Sequence, residues 1–143
     1  MPAIEPLCHL MSIKHSKLNR EENFFLEAVL FTRLCEEIKE CQRTELKNYF
    51  RLMKFTVEKE NIVLEKHFVI FIMKDILSTE EYTLEGIALY TDTHKDVVEE
   101  IFSARNTNPS ARFLGRLIEL HCTIRRSLYL SLMKKIASEY CST

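Results

Sequence analysis

The sequence predicts an all-α protein, and three observations carry that prediction. Only Gly86 and Gly115 are glycines and only Pro2, Pro6 and Pro109 are prolines in 143 residues, where average usage gives about ten and about seven. That leaves little turn chemistry for a many-stranded sheet. Apolar residues recur at intervals of three and four along most of the chain, the spacing of one helix face. With 46% hydrophobic and 29% charged residues, the chain has both a core and a solvated surface, which excludes disorder and low complexity.

Taken in order, residues 1–18 hold two prolines and no sustained period, the mark of a loosely held arm. Asn19 stands three residues before Glu22, a capping-box spacing, and Phe24, Ala28, Phe31, Cys35 and Ile38 follow at helical intervals. An amphipathic helix to about Cys41 results. Thr44 is placed to cap a second helix with Leu46, Phe50, Met53 and Val57 in one stripe, widened by Tyr49 and Leu52 and packed on the first. Residues 61–77 are the most apolar stretch. Ile62, Phe68, Ile72 and Ile76 with flanking charges suit a buried helix better than a strand through Phe68 to Met73, for which no partner strand exists. Polar breaks at 78–81, 91–94 and 105–110 then delimit three compact helices near 83–91, 94–104 and 110–121. A last helix near 124–140 presents Leu128, Leu132, Met133, Ile136 and Tyr140 on one side. The expected architecture is six or seven helices: an arm over 1–18, an N-terminal helical extension over 19–64 and a helical domain over 65–143, forming one continuous globular unit.

Several function classes fall away. Two glycines cannot build a Walker loop or a dinucleotide fingerprint, which need several together so that backbone approaches phosphate. The longest strongly apolar run, Phe68 to Met73, is far short of the roughly 20 residues that span a bilayer. The N-terminus has no long apolar h-region, so a cytoplasmic protein without membrane attachment is expected. Five cysteines, Cys8, Cys35, Cys41, Cys122 and Cys141, are an odd number in a chain large enough to fold without staples, which points to thiols in a reducing compartment. Cys8-His9 and His121-Cys122 lack zinc-finger spacing, and Cys35 and Cys41 lie about 240° apart on a helix, so no metal or cofactor is expected. Asp92 and His94 flank a turn, and Ser110 or Ser127 offers a hydroxyl, but no third orienting group stands at a recognisable spacing. Helix capping is the better reading, and no enzymatic role is expected. His67 on an apolar helix reads as a core or interface histidine and as a candidate pH switch.

Two short helices joined by about three residues, followed by a polar loop with an Asn and a Pro, have the outline of a helix-turn-helix. Over about residues 65–121, the stretch TLEGIALYTDTHKDVVEEIFSARNTNPSARFLGRLIELH with the apolar helix before it resembles the Cro/C1-type (phage-repressor-like) helix-turn-helix family. Ile87 and Ala88 fall at its hydrophobic and small positions, and Val98 and Ile101 at the docking positions of the second helix. Asn108-Pro109-Ser110 resembles its loop and cap, and Leu114, Leu117, Ile118 and Leu120 close the core. Two departures stand out: Asp92 and Ala104 occupy positions where the family often has Gly. Asp tolerates left-handed geometry and Ala does not, so the loop after Ala104 is expected to differ.

The resemblance implies a DNA-binding transcriptional regulator. Its recognition helix would place His94, Lys95, Asp96, Glu99, Glu100 and Ser103 at the groove, with Arg105, Asn106, Asn108 and Arg112 on phosphates. Charge complicates the picture. Residues 78–104 carry Lys95 against seven acids, a net of −6, whereas 105–135 carry seven cations against Glu119, a net of +6. Carboxylates oppose phosphate, yet they accept from cytosine amino groups once Arg105, Arg112 and Arg125 anchor the backbone. The alternative is a non-catalytic protein-interaction module, an adaptor or effector component that meets a protein partner through this acidic face. The partners expected are therefore double-stranded DNA or a protein. A homodimer is expected too, because the helices between Phe24 and Ile76 carry more apolar residues than one face each requires.

Overall fold

The computed structural model describes residues 2–14 and 17–141, and among these there is no strand. A 3-10 turn, Pro2–Ile4, leads into eight α-helices: α1 (Glu5–Leu10), α2 (Arg20–Glu45), α3 (Lys47–Leu52), α4 (Val57–Ser78), α5 (Leu84–Thr91), α6 (Lys95–Phe102), α7 (Ala111–Ile124) and α8 (Arg126–Cys141). The all-α class is as expected. The chain parts into two compact units, Met1–Ile38 with Arg125–Thr143, and Lys39–Ile124.

In the first unit, the stretch expected as an arm is helical through Leu10, with Ala3, Ile4, Leu7 and Cys8 buried. The prolines that suggested irregularity sit where helices begin: Pro6 lies in the first turn of α1, where a missing N–H costs nothing. α1 packs on α8, whose Tyr129, Leu132, Met133 and Ile136 are buried. Burial, with Glu27 adding, pushes the Cys8 thiol up from its ordinary value. α2 starts on the expected box, Glu22 N–H donating to Asn19 Oδ1 at 2.8 Å and Asn19 N–H to Glu22 Oε1 at 3.5 Å. Of its expected stripe Cys35 and Ile38 are buried, joined by Leu30 and Leu34, whereas Phe31 is half-buried, Ala28 is exposed and Phe24 is 74% exposed. Residues 24–26 and 28–31 are apolar almost without interruption, so period alone left the buried face open.

In the second unit, α2 runs on past Thr44, whose hydroxyl donates to Glu40 O at 3.1 Å rather than capping a new helix. The expected helix over 44–57 is interrupted. α3 ends at Leu52, and Val57 opens α4 behind a Thr56 cap that accepts from Lys59 N–H at 3.2 Å. Of the expected stripe only Phe50 is buried, while Leu52, Met53 and Val57 are exposed. Phe68, Ile72 and Ile76 of α4 are buried as expected, joined by Leu64 and Met73; Ile62 is exposed. α7 packs on α4 and α5, burying Phe113, Leu117, Ile118 and Leu120. His121 is turned onto Asp75 of α4, Nε2 to Oδ2 2.7 Å.

Helix ends replace the missing glycines. Ser12, Lys54, Glu80, Asp92 and Ala104 all have positive φ, between 51° and 64°. Four of these close their helices with bonds from the next residue back across the last turn: Ile13 N to Cys8 O, Phe55 N to Phe50 O, Thr93 N to Ala88 O and Arg105 N to Glu100 O, at 2.9–3.1 Å. Ala104 is therefore a correction. It adopts the left-handed conformation expected of a glycine, and the loop keeps that geometry at some steric cost.

Candidate nucleic-acid interface

The expected site centres on α5, α6 and the residues 92–94 between them. Thr83 caps α5, its hydroxyl accepting from Gly86 N–H at 3.1 Å. α5 ends when Asp92 turns left-handed with φ 51°. Thr91 is buried and donates to Ile87 O at 2.8 Å, and Thr93 donates to Thr91 O at 3.2 Å, which leaves the turn satisfied. His94 then caps α6: its Nδ1 accepts from Asp96 N–H at 3.2 Å, which requires that nitrogen to be unprotonated. Ile87, Ala88, Val98 and Ile101 are all buried, as the spacing predicts. Ala88 is 6% exposed and is the small residue where α5 meets α6, at the edge of the shallow cleft it lines with Leu89.

The predicted groove-facing residues occupy one short helix and its flanks. His94, Lys95, Asp96 and Glu100 are exposed, and Glu99 is half-buried. Ser103, the residue after α6, accepts from Arg105 Nε at 2.9 Å and donates to Glu100 O at 3.2 Å. Asn106 Oδ1 accepts from Asn108 N–H at 3.0 Å, bending the loop toward α7. Ser110 opens α7 as expected, its Oγ accepting from Phe113 N–H at 3.1 Å. Arg112 reaches back to the turn, Nη2 to Asp92 Oδ2 3.1 Å, with both side chains mostly exposed. The first turn of α7 and the α5–α6 turn thus share one ion pair, so the Arg112 guanidinium is already matched by a carboxylate.

Arg105 and Lys95 make no ion pair among the described residues. Arg125 belongs to the other compact unit, and Lys135 of the basic run is engaged by Glu37 at 3.0 Å. Part of the +6 of residues 105–135 is thus already matched by a carboxylate.

Sequence reasoning missed the apolar part of this face. Leu89 is 79% exposed, and Tyr90 and Val97 are more than a third exposed. The signal was that Leu89 stands two residues from Ile87, on the other face of α5, while spacing alone did not set Val97 apart. Leu89 joins Glu85, Asp92, Thr93, His94 and Lys95 around a shallow cleft of about 370 Å3.

Elsewhere, Cys8, Cys35, Cys41 and Cys122 form no disulfide, and the side chain of Cys141 lies outside the described residues. Among the described residues no three His, Cys, Asp or Glu side chains converge as a metal site would require, and no helix is long and apolar enough to cross a membrane. His67 is half-buried beside the Phe71 ring, centroids 6.0 Å apart. Comparison with protein-family models, with curated proteins and with solved structures yields no match.

Proposed function

We propose that the chain is a helix-turn-helix DNA-binding regulator of transcription, of the Cro/C1-type outline that residues 65–121 resemble. The observation that carries this reading is the α5–α6 crossing: Ala88 buried with Val98 and Ile101 beneath a left-handed Asp92, which holds α6 out with Lys95, Asp96 and Glu100 in solvent. A short helix presented by its first turns is how such domains enter a major groove. Lys95 and Arg105 supply the attraction to phosphate, and Asp96, Glu99 and Glu100 either accept from cytosine amino groups or oppose binding. A cytoplasmic homodimer belongs to the same reading. Phe24, Phe25 and Val29 on α2 are exposed apolar residues that a second copy would cover, and two copies read two half-sites.

A second reading, a protein-interaction module, is favoured by Leu89, Tyr90 and Val97, exposed among carboxylates. The deciding experiment is fluorescence anisotropy with random-sequence duplexes near 50 mM salt, where counterion release favours binding most, followed by selection of bound sequences. Binding that weakens on Arg105→Ala for all duplexes, and changes its preferred sequence on Lys95→Ala, supports the regulator. No binding at that salt, together with loss of a captured partner on Glu99→Gln/Glu100→Gln, overturns it in favour of the interaction module.

A further inference from the structure

Where α2 ends and α3 and α4 begin, positive charge is gathered in a hollow. Residues 43–54 carry Arg43, Lys47, Arg51 and Lys54 against Glu45 alone, in a chain whose net charge is −1. All four cations line one concave pocket of about 410 Å3, a volume within the roughly 300–1,000 Å3 of small-ligand sites. Its apolar wall is made by Phe50 and Phe55, stacked with centroids 5.8 Å apart; Phe50 is buried and Phe55 half-buried.

The carboxylate in the lining, Glu60, is already taken: Arg43 Nη1 lies 2.6 Å from its Oε1, and Arg43 is held further by Glu40 and Asn61. That leaves Lys47, Arg51 and Lys54, which make no ion pair among the described residues. Lys47 and Arg51 stand one turn apart on α3, where like charges repel. The left-handed turn at Lys54, φ 54°, returns the chain across the end of α3 and adds a third positive charge to the hollow. Three cations without carboxylate partners, beside a fourth already pinned, suit an anion of more than one charge.

We propose that this pocket binds a phosphomonoester: a small phosphorylated molecule whose dianion is held by Lys47, Arg51 and Lys54 and whose flat apolar part lies against Phe55. A carboxylate brings one charge and leaves more of the repulsion standing. The guanidinium of Arg51 matches two phosphate oxygens at once, and the two lysines act as point charges beside it. At about 410 Å3 the hollow has room for a phosphate and a ring. The pocket uses none of the residues of the proposed DNA interface and stands whether or not that reading holds.

The test is titration of the full chain with phenyl phosphate, inorganic phosphate and benzoate, followed by amide chemical shifts. Phenyl phosphate is expected to saturate, to bind more tightly than inorganic phosphate or benzoate, and to move amides of residues 43–60. Lys47→Glu/Arg51→Glu should weaken it at least about tenfold, the scale of a lost charge-assisted pair, while Lys134→Glu at an exposed position of α8 leaves it unchanged. Both altered residues are exposed, and an unchanged spectrum outside 43–60 verifies the fold. Arg51→Lys should fall between, since it keeps the charge and loses the fork. The proposal is overturned if shifts scatter over surface Lys and Arg without saturating, if the double charge reversal changes nothing, or if only DNA strands occupy the pocket while phenyl phosphate does not.

Discussion

The two compact units reach stability by different routes. In Met1–Ile38 with Arg125–Thr143, a carboxylate is buried: the Glu37 side chain is 7% exposed, with Arg33 Nη2 at 2.6 Å and Lys135 Nζ at 3.0 Å. Arg33 reaches on to Glu139 at 2.8 Å. These bonds join positions 98 and 106 residues apart. In Lys39–Ile124, short neighbouring helices bury apolar residues against one another, and α2's last turns are fastened to α4 by Lys39. Its Nζ lies 2.6 Å from Glu65 and 5.1 Å from the Phe68 ring centroid. The first unit depends on two cations meeting at one buried carboxylate; the second, though it holds the His121–Asp75 and Lys39–Glu65 pairs, depends more on apolar burial and well-made helix ends. A unit of the first kind is sensitive to pH and to loss of a single partner, and one of the second kind to volume and backbone geometry.

The largest effect should come from Arg33→Ala. It leaves Glu37 buried with Lys135 as its remaining cationic partner among the described residues, and is expected to cost about 2–3 kcal/mol, below the full cost of breaking a deeply buried pair because Arg33 is itself partly exposed. Denaturant unfolding measures it, and a loss under 0.5 kcal/mol, the scale of a surface pair, would erase the contrast between the units.

The same carboxylate predicts an acid limb. Burial alone would raise the Glu37 pKa, but hydrogen bonds and charge from Lys135 and Arg33 outweigh it and hold Glu37 below its ordinary value. Its folded pKa is thus the lower one, so its contribution is complete above the unfolded glutamate value of about 4.3 and fades as pH falls through the folded value. Melting temperature followed from pH 6 downward should show this limb in the wild type and a flatter one in Arg33→Ala.

In the other unit, Ala88→Leu should overpack the α5–α6 crossing and cost about 1–3 kcal/mol, read by thermal melting. An unchanged melting temperature would mean that the crossing is not tightly packed. Smaller and of opposite sign, Ala104→Gly should stabilise by roughly 0.5–1 kcal/mol, because relief of left-handed strain outweighs the added freedom of glycine in the unfolded chain. Gln42→Met sharpens the same point. Gln42 Nε2 donates to Phe68 O at 3.3 Å, while its buried Oε1 has no hydrogen-bond partner, so an apolar replacement should be neutral or stabilising by up to about 1 kcal/mol.

Much of the α5–α6 pair was legible because the caps and turn that shape it lie between sequence neighbours. The positions of Ile87, Ala88, Val98 and Ile101, the cap at Ser110 and the breaks around α5 and α6 all follow from spacing, and the structure places them so. Helix over 44–57 was misjudged because an apolar stripe at helical intervals continues straight across Met53 to Thr56, where Lys54 turns left-handed without the glycine that would have announced it. Of the candidate residues, their place on α6 and its flanks was legible and their pairing was not. Nothing in the order of residues says that Arg112 spends its charge on Asp92, or that Leu89 and Val97 face water.

By itself the sequence determined the helical class, the start of α2 at Asn19 and the buried face of α5 and α6, since periodicity and capping act over three or four residues and are written consecutively. Tertiary structure alone decided which stripe of α2 is covered, that Ile4 and Leu7 are buried within an apparent arm, and that Glu37 meets Lys135. Those outcomes depend on segments remote in sequence arriving at one place. An apolar residue or a charge records only that a partner is needed, and the partner is chosen when the chain closes on itself.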